Sequence, residues 1–230
     1  MKMSVIVTTY NRGDLLGMLI TRLRSQTEQV EIVVADDGSG PPKVRGDKYL
    51  WRRDDGYHRT WMINRAAEMA SGDVLAFLDD DVRPMSDNWV QAHRRCLESV
   101  DIARGPYSLF DDDQPISAHV FGIPGMPWSC VNMSIHRAAW EKMGGLDEIF
   151  DGAYGFEDTD FGLRVHGNGL RVGKAGPGAR SEHLGEIYCL TSDGKIDESI
   201  MTQNRVMLEG KWHEDARVLI DRSAWGGCMP

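Results

Sequence analysis

The sequence predicts an α/β fold: a mostly parallel central sheet with helices on both faces, plus a smaller sheet in the second half. Three observations lead there. Short apolar runs alternate with helix-period segments through the first hundred or so residues. Those runs are continuously apolar, as strands buried on both faces are. The first, second and fourth of them end in polar or acidic clusters, at the edge where such sheets bind ligands.

Ser4–Thr8 reads as the first strand, ended by Tyr10-Asn11-Arg12-Gly13. Asp14 is placed to cap a helix with Leu15, Leu16, Leu19, Ile20 and Leu23 on its apolar side. Val30–Ala35 is the second strand and runs into Asp36-Asp37-Gly38-Ser39-Gly40, with a loop at Pro41-Pro42. Tyr49–Arg53 is a short third strand, and Thr60–Ala70 a helix stopped by Ser71-Gly72. Val74–Leu78 is the fourth strand and leads straight into Asp79-Asp80-Asp81. A helix over Ser86–Ser99 follows, capped by Ser86.

The second half reads differently. Strands are expected at Ile102–Leu109 and Ala118–Phe121, either side of an acidic loop at Asp111–Pro115. A Gly/Pro loop at Gly122–Trp128 leads to a strand at Cys130–Ile135 and a helix at Arg137–Met143, stopped by Gly144-Gly145. A helix at Glu157–His166, a strand at Leu170–Val172 and a helix at Glu198–Leu208 complete the pattern, and Gly226–Pro230 reads as a loose end. The simplest organisation is a single domain over 1–230. Its nucleotide-binding half is 1–100, its acceptor half 101–185, and a C-terminal extension covers 186–230.

Composition narrows the function. The chain has 230 residues and is 41% hydrophobic, enough for one buried core. With 26 basic and 35 acidic residues the net charge is −9, which argues against a partner that is nucleic acid. Cys96, Cys130, Cys189 and Cys228 form no CxxC pair, so reduced thiols are expected. No run has the length of a membrane span, and Met1–Val7 is too short an apolar stretch for a signal peptide, so a cytoplasmic protein is expected.

Four groups carry chemistry. Asp79-Asp80-Asp81 places three like charges at the end of a buried strand, which is costly unless a cation sits there. A divalent cation bridging a diphosphate would remove that cost, whereas an isolated Asp triplet is more often a solvated turn. Asp36-Asp37-Gly38-Ser39 has ordinary turn composition, but a carboxylate there can also read a base and ribose. Glu157 and Asp158 open a helix, where the dipole favours acids, and Tyr154, Gly155 and Phe156 lead up to them. A carboxylate at that point can take a proton from an acceptor hydroxyl. His183 is the histidine with a case for metal binding, although a lone histidine is more often a surface or satisfied core residue.

In this order and at these separations, Val5–Arg12, Asp36–Ser39, Phe77–Asp81, Gly144–Glu148 and Gly155–Asp158 resemble a family 2 glycosyltransferase of the GT-A fold, a Rossmann-like mostly parallel sheet. The resemblance runs from about Ser4 to about His183. It implies Thr8, Tyr10 and Arg12 under the nucleotide and Asp37, with Asp36, on the base, usually uracil. Asp79, Asp80 and Asp81 would be the DxD motif, with Asp79 and Asp80 on the donor and the outer members Asp79 and Asp81 on Mn²⁺ or Mg²⁺, Asp81 foremost as its direct ligand. Asp158 would be the general base of an inverting transfer, with Glu157 beside it on a sugar. The segment Gly155–Asp158 is also similar to the acceptor-side motif of the β-1,4-galactosyltransferase and chondroitin-polymerase type, whose later histidine completes the metal site. His183 matches it by position.

The match has gaps. Many members carry an arginine before the asparagine of the helix preceding the DxD strand, but here Ile63 precedes Asn64, leaving Arg59 or Arg65 for the diphosphate. No QxxRW motif is present, which favours single transfer over polymer synthesis. Loops near Trp128 and between Gly145 and Gly155 are candidates for mobile lids. The resemblance implies a nucleotide-sugar donor. The acceptor is open among carbohydrate, lipid-linked, protein and small-molecule hydroxyls. Two other readings compete. A sugar nucleotidyltransferase would need a Gly-rich basic loop after the first strand, which Thr8–Gly13 lacks. A non-catalytic nucleotide-sugar-binding module would usually have lost the DxD or the base, and both are present.

Overall fold

The computed structural model describes residues 1–40, 44–109, 128–184 and 198–221. The expected loop at Pro41-Pro42, the acidic loop at 111–115, the strand at 118–121, most of the 122–128 loop and the tail at 226–230 lie outside the described residues.

In chain order the elements are β1 (Met3–Thr9), α1 (Gly13–Arg24), β2 (Glu31–Asp36), β3 (Lys48–Trp51), α2 (Arg59–Met69), β4 (Val74–Asp79), β5 (Val82–Pro84), α3 (Trp89–Leu97), β6 (Ile102–Arg104), β7 (Tyr107–Leu109), β8 (Met133–His136), α4 (Arg137–Met143), α5 (Glu157–Gly167), β9 (Val172–Lys174), β10 (Ser181–His183) and α6 (Thr202–Asp221). The main sheet has seven strands in the order β3-β2-β1-β4-β8-β6-β9, and a second sheet has three, β5-β10-β7. β1 pairs parallel with β2 and β4, and β2 with β3, while β8 runs antiparallel to both β4 and β6.

The sheet is buried on both faces, and strand alternation sorts its side chains. Met3, Val5 and Val7 of β1 join Ile32, Val34, Ala76 and Leu78 under α1 and α3. Ile6 joins Val33, Ala35, Leu75 and Phe77 under α2, α4 and α5. A third cluster stands apart, in which Phe150, Phe156 and Leu163 pack on Met201 and Leu208.

Several expectations are corrected. The run Ile102–Leu109 is two strands in different sheets, split at Gly105-Pro106. A Cβ on Gly105 would lie 2.3 Å from the Ala179 carbonyl oxygen, so only glycine permits that crossing. The strand expected from Cys130 begins at Met133, because Asn132 turns the chain with φ of 57°. The helix expected from Ser86 begins at Trp89, with Asn88 before it. Asp14 sits inside the first turn of α1, not at its cap. β5 is an additional strand, whose three residues are too few to show a period. The C-terminal helix runs on to Asp221, well beyond Leu208. Cys96 and Cys130 are free thiols, and Cys189 and Cys228 lie outside the described residues.

Candidate active site

The carboxyl ends of β1, β2 and β4 converge, as the alternation implied. Parallel register sets Thr8 beside Asp79 and Thr9 beside Asp36. Thr8 donates its hydroxyl to Asp79 (2.6 Å) and Thr9 to Asp80 (2.7 Å). Thr9 was not singled out by the sequence, since its neighbour across β4 is visible only once the register is known.

The acidic triplet is met by side chains from three other elements. Arg12, just before α1, reaches Asp81 with one guanidinium nitrogen and stands 3.5 Å from Asp80. Arg59, at the start of α2, bridges the end of β4 to the start of α5: it bonds Asp79 at 2.9 Å and Glu157 at 2.9 Å, and stands 4.0 Å from Asp158. His183 arrives on β10, which pairs with β5 so that His183 lies opposite Val82. Its Nε2 is 3.2 Å from Asp81 Oδ2. Burial raises Asp80, flanked by two like charges, to about 7. Burial also pushes Asp79 upward, but Arg59 and Thr8 outweigh it and hold that carboxylate below the ordinary range. Of the two arginines left open by the sequence, Arg59 is in the site; Arg65 bonds Glu68 and Glu148 on the outer side of α2.

At the end of β2 the two aspartates part company. Asp36 is buried and committed to the Ser39 amide (2.8 Å) and the Tyr49 hydroxyl, which closes the turn. Asp37 accepts the His58 amide at 2.7 Å through Oδ2, and its Oδ1 has no hydrogen-bond partner. Tyr10 is half-exposed nearby, with its hydroxyl 3.0 Å from Asp54.

Glu157 and Asp158 open α5. Phe156, before them, has φ of 69°, a left-handed conformation that costs a non-glycine residue about 1–3 kcal/mol. Burial, with Asp158 adjacent, raises the Glu157 carboxyl to about 7. Ser129 lies 3.4 Å from Asp158 Oδ2. Asn64, the asparagine compared with the family's helix before the DxD strand, is not in the site. It donates to the Leu146 carbonyl and Glu148 and accepts the Leu146 amide, each at 2.9 Å, and so pins the Gly144–Glu148 turn.

Four carboxylate oxygens at this edge are buried without a hydrogen-bond partner: Asp37 Oδ1, Asp81 Oδ1, Glu157 Oε2 and Asp158 Oδ1. A buried acceptor left unpaired costs about 1–3 kcal/mol, and native proteins keep such groups where a ligand completes them. The donor chemistry at Asp81 and His183, one orphaned carboxylate oxygen beside an imidazole nitrogen, fits a divalent cation. Asp79 is turned to Thr8 and Arg59, and among the described residues no three His, Cys, Asp or Glu side chains stand grouped for a metal.

Residues 4–102 match the family described as glycosyl transferase family 2. That segment belongs to glycosyl transferase family 2. Validoxylamine A glucosyltransferase of Streptomyces hygroscopicus subsp. jinggangensis (strain 5008) is 31% identical, in an alignment that covers 73% of this chain and 52% of the relative. The chain thus spans about half the length of this curated relative. A structure of S. aureus TarS in complex with UDP-GlcNAc superposes with a TM-score of 0.59 at 16% identity, covering 82% of this chain and 57% of that one. A Drosophila β-1,4-galactosyltransferase 7 mutant, in complex with manganese, UDP-Gal and xylobiose, gives 0.56 at 18% identity, covering 88% and 79%. The chain therefore has the GT-A fold that its motifs implied.

Proposed function

We propose that this chain transfers a sugar from a UDP-sugar to an acceptor hydroxyl, with inversion, and with a divalent cation, Mn²⁺ or Mg²⁺, at Asp81 and His183. The observation that carries the reading is the set of four buried carboxylate oxygens along one sheet edge that have no hydrogen-bond partner. Their order suits the parts of such a reaction. Asp37 Oδ1 suits a base N–H, Asp81 Oδ1 a cation, and Glu157 Oε2 and Asp158 Oδ1 suit hydroxyls. The two structural neighbours named above are complexes with UDP-sugars, one of them with manganese, which supports the donor class.

In the proposed step Asp158 takes the proton of the acceptor hydroxyl while that oxygen bonds to the anomeric carbon from the face opposite the leaving group. The bond between that carbon and the diphosphate oxygen breaks, and its electron pair departs with UDP. A bound cation supplies neutralisation of the charge on that diphosphate. Arg59 is placed to contribute a second positive charge there, exchanging Asp79 and Glu157 for phosphate oxygens. Glu157, which holds its proton more readily than an ordinary glutamate, is suited to hydrogen-bond a sugar hydroxyl. Thr8, Tyr10 and Arg12 line the nucleotide end, and Asp79 and Asp80 hold Thr8, Thr9 and Arg12 in place.

Thermal stabilisation by a panel of UDP-sugars, with and without Mn²⁺, tests the donor half. Ligand at about 100 times its Kd raises stability by about 2.7 kcal/mol. Wild type should respond to one UDP-sugar with Mn²⁺, and Asp81→Ala should not. An equal response in both would exclude Asp81 as the cation ligand. Asp158→Asn should keep that response and lose transfer; near wild-type transfer would remove Asp158 from the role of base.

A further inference from the structure

The loop that delivers Glu157 and Asp158 is not built on either main core. Its apolar residues Phe150 and Phe156 belong to the third cluster, whose other side is Met201 and Leu208 at the end of the chain. The loop also curls round one side chain of α6. Asn204 is fully buried, and its Nδ2 donates to the carbonyls of Phe150 (2.9 Å), Ala153 (2.9 Å) and Gly155 (2.8 Å). A carboxamide nitrogen has two hydrogens, so one of them is shared. The acceptors also settle which way the amide faces, since the flipped form would set oxygen against three carbonyls.

Two further contacts bind the same helices. Asp160, fully buried in the first turn of α5, accepts from Trp212 Nε1 (2.9 Å) and pairs with Lys211 (2.6 Å), both from α6. At Gly155 the backbone has φ of 86°, and a Cβ would lie 2.8 Å from the Met201 methyl carbon. Asp151 and Gly152 are tied to the start of α2 through His58 and Tyr57, while the chain from Ala153 to Asp160 is shaped against Met201 and α6, and its strained link, Phe156, sits immediately before the two carboxylates. Nothing in the family-like motifs, which end near His183, contains this helix.

We infer that Asn204 is the positioning residue of the acceptor side: by gathering three loop carbonyls it sets the left-handed Phe156 and so aims Glu157 and Asp158. The inference rests on the roles proposed for those two carboxylates, and it adds that the C-terminal helix governs them. Asn204→Ala removes the donor, Asn204→Asp puts a carboxylate among carbonyls, and Asn204→Gln keeps the N–H₂ on a longer arm.

The test uses the full chain and two readouts. Amide hydrogen exchange is followed over residues 151–160 and over β1 and β4. Hydrolysis of UDP-glucose with Mn²⁺ is measured beside the Kd for UDP. Asn204→Ala and Asn204→Asp should speed exchange over 151–160 by roughly tenfold or more with β1 and β4 unchanged, as a local opening does. Hydrolysis should fall on the order of 100-fold, the size of effect a 1 Å misplacement produces, with UDP binding intact. Asn204→Gln should recover part of both. Wild-type exchange in all variants, or hydrolysis unchanged in a loosened loop, would overturn the inference. So would loss of protection in β1 and β4 together with UDP binding, which would make Asn204 merely part of global stability. If wild type binds no UDP and hydrolyses no UDP-sugar, the proposed donor is wrong, and the exchange measurement still decides whether Asn204 holds the loop.

Discussion

Single carboxylates at the sheet edge differ by their partners. Asp36 and Asp37 are adjacent, yet one closes a turn and the other keeps an oxygen with no hydrogen-bond partner, 3.9 Å from Arg52. Asp79 and Asp81 are the outer members of one motif, yet Arg59 holds the first while His183 stands beside the second. Glu157 offers a pH test. Its folded pKa is raised to about 7 from the ordinary 4.5, chiefly by burial. A raised value means the folded state keeps a proton the unfolded state gives up. That contribution to stability is full below pH 4.5 and is lost as pH rises through about 7. Glutamine mimics the protonated form, so Glu157→Gln should be close to wild type in Tm at pH 5 and should gain on it by pH 8. A constant Tm difference across that range would show that Glu157 does not titrate there. The residue types at these positions were legible from the motifs. Which oxygen of which aspartate stays open was not, because that depends on Tyr49 and His58, which lie 13 and 21 residues away from the aspartates they contact.

Elements bring those residues together through register and through short ties between strands and turns. Glu31, at the first residue of β2, accepts the Ser4 hydroxyl (2.5 Å) and the Ser71 amide and hydroxyl (2.7 Å each), and faces Lys48 at 3.0 Å. It thereby joins β1, β2 and the turn before β4. Burial pushes its carboxyl up, but the bonds from Ser4 and Ser71 outweigh this and lower it to about 2. A lowered value puts the stabilisation above the unfolded pKa of 4.5 and removes it as pH falls toward about 2. Glu31→Gln should lower Tm by about 2–4 °C at pH 7, the shift about 1 kcal/mol makes in a chain of this size. The gap should narrow toward pH 3; a gap that held constant would show that the amide loses nothing the ionised acid supplied. The long apolar strands were legible from pattern alone. β5 and β10, of three residues each, were not, because three residues show no period and their pairing is non-local.

The whole molecule has two cores that share one sheet and a third that does not. Local opening follows such divisions. Native-state exchange should find the highest protection in β1, β2 and β4 and an earlier opening of residues 148–167 together with 198–212. Exchange of that region only at the global unfolding rate would show a single cooperative unit. No helix among the described residues is long and apolar enough to cross a membrane. By itself the sequence determined the fold class, the parallel half of the sheet, and the identity of the residues at its carboxyl edge. These follow from local patterns, since an apolar run buried on both faces and a polar cluster at its end lie within ten residues of one another. The tertiary structure alone decided that Arg59 bridges Asp79 to Glu157, that His183 returns to Asp81, and that α6 shapes the loop before Asp158. Those contacts join residues from about 20 to 100 positions apart, and the side chains that make them follow no period, so only packing brings them into one place.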